Sequence, residues 1–251
     1  MASTIDLRRA DERYRTRAGW LDSKHSFSFS HHWDPANTHF GLLLVSNDDT
    51  VAPGTGFDTH PHRDMEIITW VLDGGLVHQD SEGHNGVIYP GLAQRMSAGS
   101  GILHSEKNDS WTLTGEPAHR DPVRFVQMWT IPDTAGIAPG YEQLDINDQL
   151  TRGGWATLAS GMAKHADRRA IGIRQKHAAL HVARLRPDET LELATAPFVH
   201  LYVARGEAAV EGAGLLHQGD ALRITAAEGQ RVTAGPEGAE LLQWEMTAAL
   251  N

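Results

Sequence analysis

The chain has 251 residues, enough for one large or two ordinary domains, and its 40% hydrophobic and 22% charged content suits a folded globular protein. A formal charge of −10 at pH 7, with no dense block of lysine or arginine, excludes the electrostatic footprint of direct nucleic-acid binding. No apolar run reaches the roughly 20 residues needed to cross a bilayer and no secretory signal is recognisable. Cysteine is absent, which excludes disulfides and thiolate metal sites and favours a cytoplasmic location.

Residues 8–17 carry several arginines interrupted by Asp11 and Glu12, and read as a solvated start. From 26 to 130 the chain reads as short strands. HSFSFSHHW alternates Phe27 and Phe29 with polar neighbours, GLLLVSN is a buried-strand run, and EIITWVL and VRFVQMWTI are rich in β-branched and aromatic residues. Turn residues separate them: Asp34-Pro35, Asn47-Asp48-Asp49, Pro53-Gly54, Asp73-Gly74-Gly75, His84-Asn85-Gly86 and Pro90-Gly91. Asn85-Gly86 is a two-residue hairpin signal. Strands so short and so evenly spaced imply a sandwich or small barrel. Residues 132–160 are rich in glycine, proline and acids and lack periodicity, so they read as a connection crossing the surface. From about Ala179 the strand pattern returns (LHVARL, ETLEL, FVHLYVARGEAAVE, LLHQGDALRI, ELLQWEM), and no long amphipathic helix is evident. The chain therefore reads as all-β and as one architecture used twice.

The informative residues are two pairs at i, i+2: His60 and His62, then His104 and Glu106. On a strand such pairs leave the same face, so two adjacent strands would aim three imidazoles and a carboxylate into one space. That mixed set suits iron, manganese, nickel, copper, cobalt or zinc, and four protein ligands leave an open position, as catalytic sites require. A lone histidine on a sheet is most often an ordinary polar residue. Two matched pairs preceded by Gly54 and Gly101 do not fit that explanation. Glu66 stands an even step after His62, so spacing alone leaves two carboxylates as possible ligands.

The run Gly54–His60–His62–Glu66 followed by Gly101–His104–Asn108 resembles the two signature motifs of the cupin superfamily. HPHRDMEIITWVL, HQDSEGH and MSAGSGILHSEKN, with HSFSFSHHWDP upstream, are similar more narrowly to pirin and to bacterial pirin-like quercetinases over roughly residues 20–145. The resemblance implies a bicupin: two jelly-roll barrels, with residues 1–135 a metal-binding domain, 136–160 a connection and 161–251 a cupin-like domain without metal. It assigns His60, His62, His104 and Glu106 to one divalent metal, Fe(II) first, with Mn, Ni, Cu, Co and Zn as alternatives. Glu106 would be both ligand and catalytic base, and Glu66 would orient an imidazole from outside the ligand set. The implied activity is opening of the central ring of flavonols such as quercetin by O2. The alternative it implies is an iron-dependent, redox-responsive regulator that binds a protein partner. A monomer without nucleic acid or membrane partners is expected.

The remaining conspicuous residues have plainer readings. His31, His32 and His39 are expected on loops or the surface, and His78 and His84 flank a hairpin without being ligands. Trp33 is a candidate pocket wall. Gly99-Ser100-Gly101 lacks the GK[ST] of a phosphate loop and is expected to let a strand approach the metal. His165, His177, His181, His200 and His217 lack paired spacing, so the second barrel is expected to hold no metal.

Overall fold

The β-branched and aromatic runs become strands, and the regular secondary structure is nearly all β. The computed structural model describes residues 3–250. A seven-stranded sheet runs in the order Gly140–Asp145, Leu92–Ser97, Glu66–Asp73, Val123–Thr130, Leu43–Val51, Leu21–His25, Tyr14–Ala18. A four-stranded sheet, ordered Gly56–His62, Ile102–Lys107, Leu76–Asp80, Asn85–Ile88, faces it. Val51, Val71, Val123 and Phe125 from the first meet Leu76 and Ile88 from the second to floor one barrel.

A nine-stranded sheet makes the second barrel around Ala183, Leu185, Leu201, Val203, Leu222 and Leu241. Two of its strands, Thr195–Val210 and Arg231–Met246, are each 16 residues long and serve both walls. Register shifts between Val203 and Arg205 and between Gly206 and Ala208 turn the corner. A Cβ on Gly206, at φ 69°, would lie 2.1 Å from the Gly238 carbonyl oxygen, so only glycine fits there.

The barrels meet across one continuous apolar layer: Leu43, Trp70, Val126 and Met128 on one side, Leu180, Val182, Tyr202 and Trp244 on the other. The central strands of each large sheet are thus buried on both faces, which is why EIITWVL and VRFVQMWTI read as apolar runs. Buried polar groups cross the same layer. The Trp70 indole N–H donates to Glu240 at 2.7 Å, and Arg184 reaches the other Glu240 oxygen at 2.8 Å. Arg124 grips Asp48 through two nitrogens, at 2.9 and 2.7 Å, and the Tyr202 hydroxyl donates to the same carboxylate. Each of these buried charges has its partners, without which burial would be costly.

Several expectations change here. The span 136–160 is no bare connection: Gly140–Asp145 closes the first barrel's sheet, a helix follows at Asn147–Arg152, and Ala156–Ser160 belongs to the second. Thr4–Arg8, counted with the first domain, pairs with Ala221–Glu228 in the second. Nor are the arginines of 8–17 all solvated. Arg9 holds Asp220 at 2.7 Å, and Arg13, 9% exposed, donates to the Tyr202 hydroxyl and to the Gly219 and Lys24 carbonyls. HSFSFSHHW is mostly an irregular loop, with only His25 ending a strand. Asn85-Gly86 lies within a strand; Asp80 makes the turn instead, accepting the Glu82 and His84 amides, each at 3.0 Å. Among the described residues no helix is long and apolar enough to cross a membrane.

Candidate metal centre

Strands Gly56–His62 and Ile102–Lys107 pair antiparallel, with His104 opposite His60 and Ile102 opposite His62. A register shift between His104 and Glu106 leaves Glu106 opposite Phe57 and Lys107 opposite Gly56. Gly56 permits that contact, since a Cβ there would fall 2.2 Å from the Glu106 carbonyl oxygen. The imidazoles of His60, His62 and His104 converge, with ring centroids 4.4–4.9 Å apart and ligand atoms all within 4.8 Å of one another.

Their protonation suits coordination. His60 Nδ1 lies 2.7 Å from the Asp58 carbonyl oxygen, which can only accept, so Nδ1 carries the hydrogen and Nε2 keeps its lone pair. Burial, then the neighbouring His104 and His60, pulls His62 down to about 4. Burial, then His60 and His78, pulls His104 down to about 3. At neutral pH both rings are therefore uncharged. His62 Nε2 and both ring nitrogens of His104 are buried without a hydrogen-bond partner. Unpartnered, neutral, converging nitrogens are what a metal ion requires, and the residues fit one.

Glu106 is 2% exposed and shares the space. The Gln127 amide nitrogen lies 2.8 and 2.9 Å from its two oxygens, while the Gln127 carbonyl oxygen accepts from the Trp129 indole at 3.0 Å. Trp129 thus fixes Gln127, and Gln127 fixes the carboxylate. His78 is buried as well, and its ligand atoms form a second close group with those of His104 and Glu106. From the sequence His78 is expected only to flank a hairpin. Its signal was the spacing to Asp80, whose carboxylate it contacts at 3.1 Å.

A cavity of about 240 Å³ opens before His60, His62 and Glu106, walled by Phe29, Phe57 and Trp129. That is at the small end for ligand pockets and suits a flat ring system. Trp129 meets the His62 ring edge-on at 4.8 Å. Asn47 and Asp49 also face this cavity. They were read as turn residues, but they lie inside strand Leu43–Val51, where Asn47 bonds the His25 ring at 3.0 Å. Burial pushes the Asp49 carboxyl up to about 7, with Asp48 and Glu106 adding to the effect.

Other expectations fail on geometry. Glu66 accepts from the Arg174 amide at 3.1 Å and bonds no imidazole among the described residues, so it does not orient a ligand. Trp33 is 72% exposed and walls nothing; Trp129 takes that part. Gly99 turns beneath the Ile137 carbonyl, which a Cβ would meet at 2.2 Å, rather than easing an approach to the imidazoles.

Comparison with known proteins agrees with this geometry. Residues 8–130 match the family model described as Pirin, and residues 158–246 match one described as Quercetinase C-terminal cupin domain. A Mycobacterium tuberculosis protein named "Putative quercetin 2,3-dioxygenase" is 55% identical over 250 residues, covering 100% of this chain and 98% of its own. Quercetin 2,3-dioxygenase of Escherichia coli K12 is 47% identical over 139 residues, 55% of this chain and 57% of its own. The crystal structure of the Escherichia coli bacterial pirin YhhW with nickel(II) superposes with a TM-score of 0.84 at 33% identity, covering 98% of this chain and all of that one. With its two cupin barrels and its histidine-lined cavity, the chain belongs to the pirin family.

Proposed function

We propose that this protein is a metal-dependent dioxygenase that opens the central ring of flavonols such as quercetin. The observation that carries the reading is three converging imidazoles, those of His62 and His104 with buried nitrogens that lack a hydrogen-bond partner, beside an aromatic-walled cavity that His60, His62 and the oriented Glu106 carboxylate line. His60, His62, His104 and Glu106 would hold one divalent metal, with Fe(II) as the first candidate. Bound there, the metal would act as a Lewis acid that makes a coordinated hydroxyl easier to ionise and supplies redox chemistry toward O2.

The chain's own residues do the rest. The Asp58 carbonyl fixes the His60 tautomer. Gln127 holds Glu106 so that a carboxylate oxygen can take the proton of the flavonol 3-hydroxyl. Phe29, Phe57 and Trp129 hold the flat rings and keep bulk water from the reacting carbon atoms. Protein depleted of metal, reloaded anaerobically and then given oxygen and quercetin should bleach the flavonol absorbance. No metal-dependent loss with iron, manganese, nickel, copper or cobalt would end this reading.

One surface feature favours a second reading, a redox-responsive protein that binds a partner. Leu103, beside His104, points outward at 47% exposure over a shallow depression lined by Pro61 and Ile102. Pull-down under reducing and oxidising conditions separates the two, since a catalyst alone shows no redox-dependent partner.

A further inference from the structure

The two barrels can be placed in register from their floors. Val71 pairs with Phe125 and Val123 with Val51 in the first; Val203 pairs with Leu241 and Leu185 with Ala239 in the second. Counting along the strands from those floors, Asn47 and Gln127 of the first cavity correspond to His181 and Gln243, which pair with each other as Asn47 and Gln127 do. Trp129 then corresponds to Glu245. A pocket of about 410 Å³ opens at this same end of the second barrel, lined by Trp155, Lys164, His165, Arg168, His181 and Glu245.

Within it His165, His181 and Glu245 are all buried, and their ligand atoms lie within 4.8 Å of one another. His181 and Glu245 come from adjacent strands and share the barrel's inner face with Ala183 and Leu241. His165 comes from the 3-10 turn Ala163–His165. Hydroxyl groups hold the far side of each ring: Ser160 is 2.9 Å from His165 Nδ1, and Thr157 is 3.2 Å from His181 Nδ1. The other ring nitrogen of His181 faces Glu245 at 3.3 Å. This is the arrangement in which outer polar groups set imidazole ligands. The balancing charge comes from Lys164, whose ammonium pairs with Glu245. The lysine side chain is 56% exposed while the glutamate's is 4% exposed, so a buried carboxylate is neutralised by a cation free to swing into water.

We propose that His165, His181 and Glu245 form a second divalent transition-metal site, in competition with the Lys164 ammonium. Two imidazoles and one carboxylate are a three-donor set for zinc, cobalt(II) or iron(II), with positions left open toward the pocket. The expected metal-free second barrel is thereby revised. Its histidines were set aside because they are far apart in sequence, and the fold brings them together.

The test uses the full chain carrying His60→Ala, His62→Ala and His104→Ala, which breaks both close donor groups of the first barrel, so that failure of the first centre cannot be mistaken for failure of the second. Titrated with cobalt(II) alone, this variant should bind one equivalent per chain, read by calorimetry and by visible absorption of the bound ion. Adding Glu245→Gln should abolish that binding. Adding Lys164→Met, a change on an exposed side chain that leaves the fold intact by circular dichroism, should tighten it by about fivefold, the worth of a removed surface ion pair. No cobalt bound, binding indifferent to Glu245→Gln, or affinity unmoved by Lys164→Met overturns the proposal. So does binding of inorganic phosphate that Glu245→Gln strengthens, which would make the pocket an anion site.

Discussion

The two barrels share the pairing of their central strands and an apolar floor, yet they arm the same open end differently. In the first, the facing four-stranded sheet brings three imidazoles on two paired strands, and the large sheet contributes Gln127, Trp129, Asn47 and Asp49. In the second, the large sheet itself carries His181 and Glu245, and a turn outside it adds His165. The barrel thus supplies a sheltered hole at a fixed place, and which wall carries the donors decides its chemistry.

The largest test of this contrast is His104→Ala. It should remove metal from the first barrel altogether, well beyond the ~10–100-fold typical of changes outside the ligand set, with the flavonol assay falling alongside. Metal analysis showing full occupancy in this variant would mean that the donors have been placed on the wrong wall.

Asp49 comes next, because Ala183 occupies the matching place in the second barrel. In metal-free protein the folded Asp49 carboxyl titrates near 7, raised chiefly by burial, against an unfolded value near 3.9. A raised folded value contributes stability that is fully present below the unfolded pKa and lost as pH rises through about 7. Asp49→Asn should therefore gain stability relative to the parent between pH ~4 and ~7, on the order of 4 kcal/mol at the upper end. His62 and His104, both depressed by burial, tilt the parent the other way as pH falls below their unfolded value near 6.5. The difference between variant and parent isolates Asp49. A difference in denaturant-derived stability that is flat with pH would remove Asp49 from the polar lining.

Trp70→Phe strips one partner from the buried Glu240 carboxylate between the barrels. It should cost about 2 kcal/mol while leaving one cooperative unfolding transition. Two separate calorimetric transitions would show that the shared apolar layer does not couple the barrels. The smallest effect is Gln127→Leu, which frees Glu106 and should weaken first-site metal affinity about tenfold, or about 1.4 kcal/mol. Gln243→Leu, its counterpart, should leave the first site's affinity unchanged.

Much of this was legible in the sequence because sheets have a period of two. The pairs His60/His62 and His104/Glu106 announced themselves by spacing, and the β-branched runs announced both barrels. What was hidden depended on pairing between distant strands. Asn47-Asp48-Asp49 looked like a turn because consecutive polar residues usually are one. Here Asp49 and Asn47 face the cavity while Asp48 turns the other way, to Arg124 of its own sheet and Tyr202 of the second barrel. His78 was masked by its hairpin, and His165, His181 and Glu245 share no local spacing. Glu66 misled because an even step predicts a face of the sheet and not a distance.

The pairing of Thr4–Arg8 with Ala221–Glu228 has a consequence for biosynthesis. Thr4–Arg8 leaves the ribosome well before its partner strand and must wait for it, a delay on the order of tens of seconds at ordinary translation rates. Until then its backbone donors and acceptors face water, and so does the edge it will later cover. Closing that seam therefore comes long after the strand is made, and an emerging chain stays open there to clumping or to chaperone capture until Ala221–Glu228 appears.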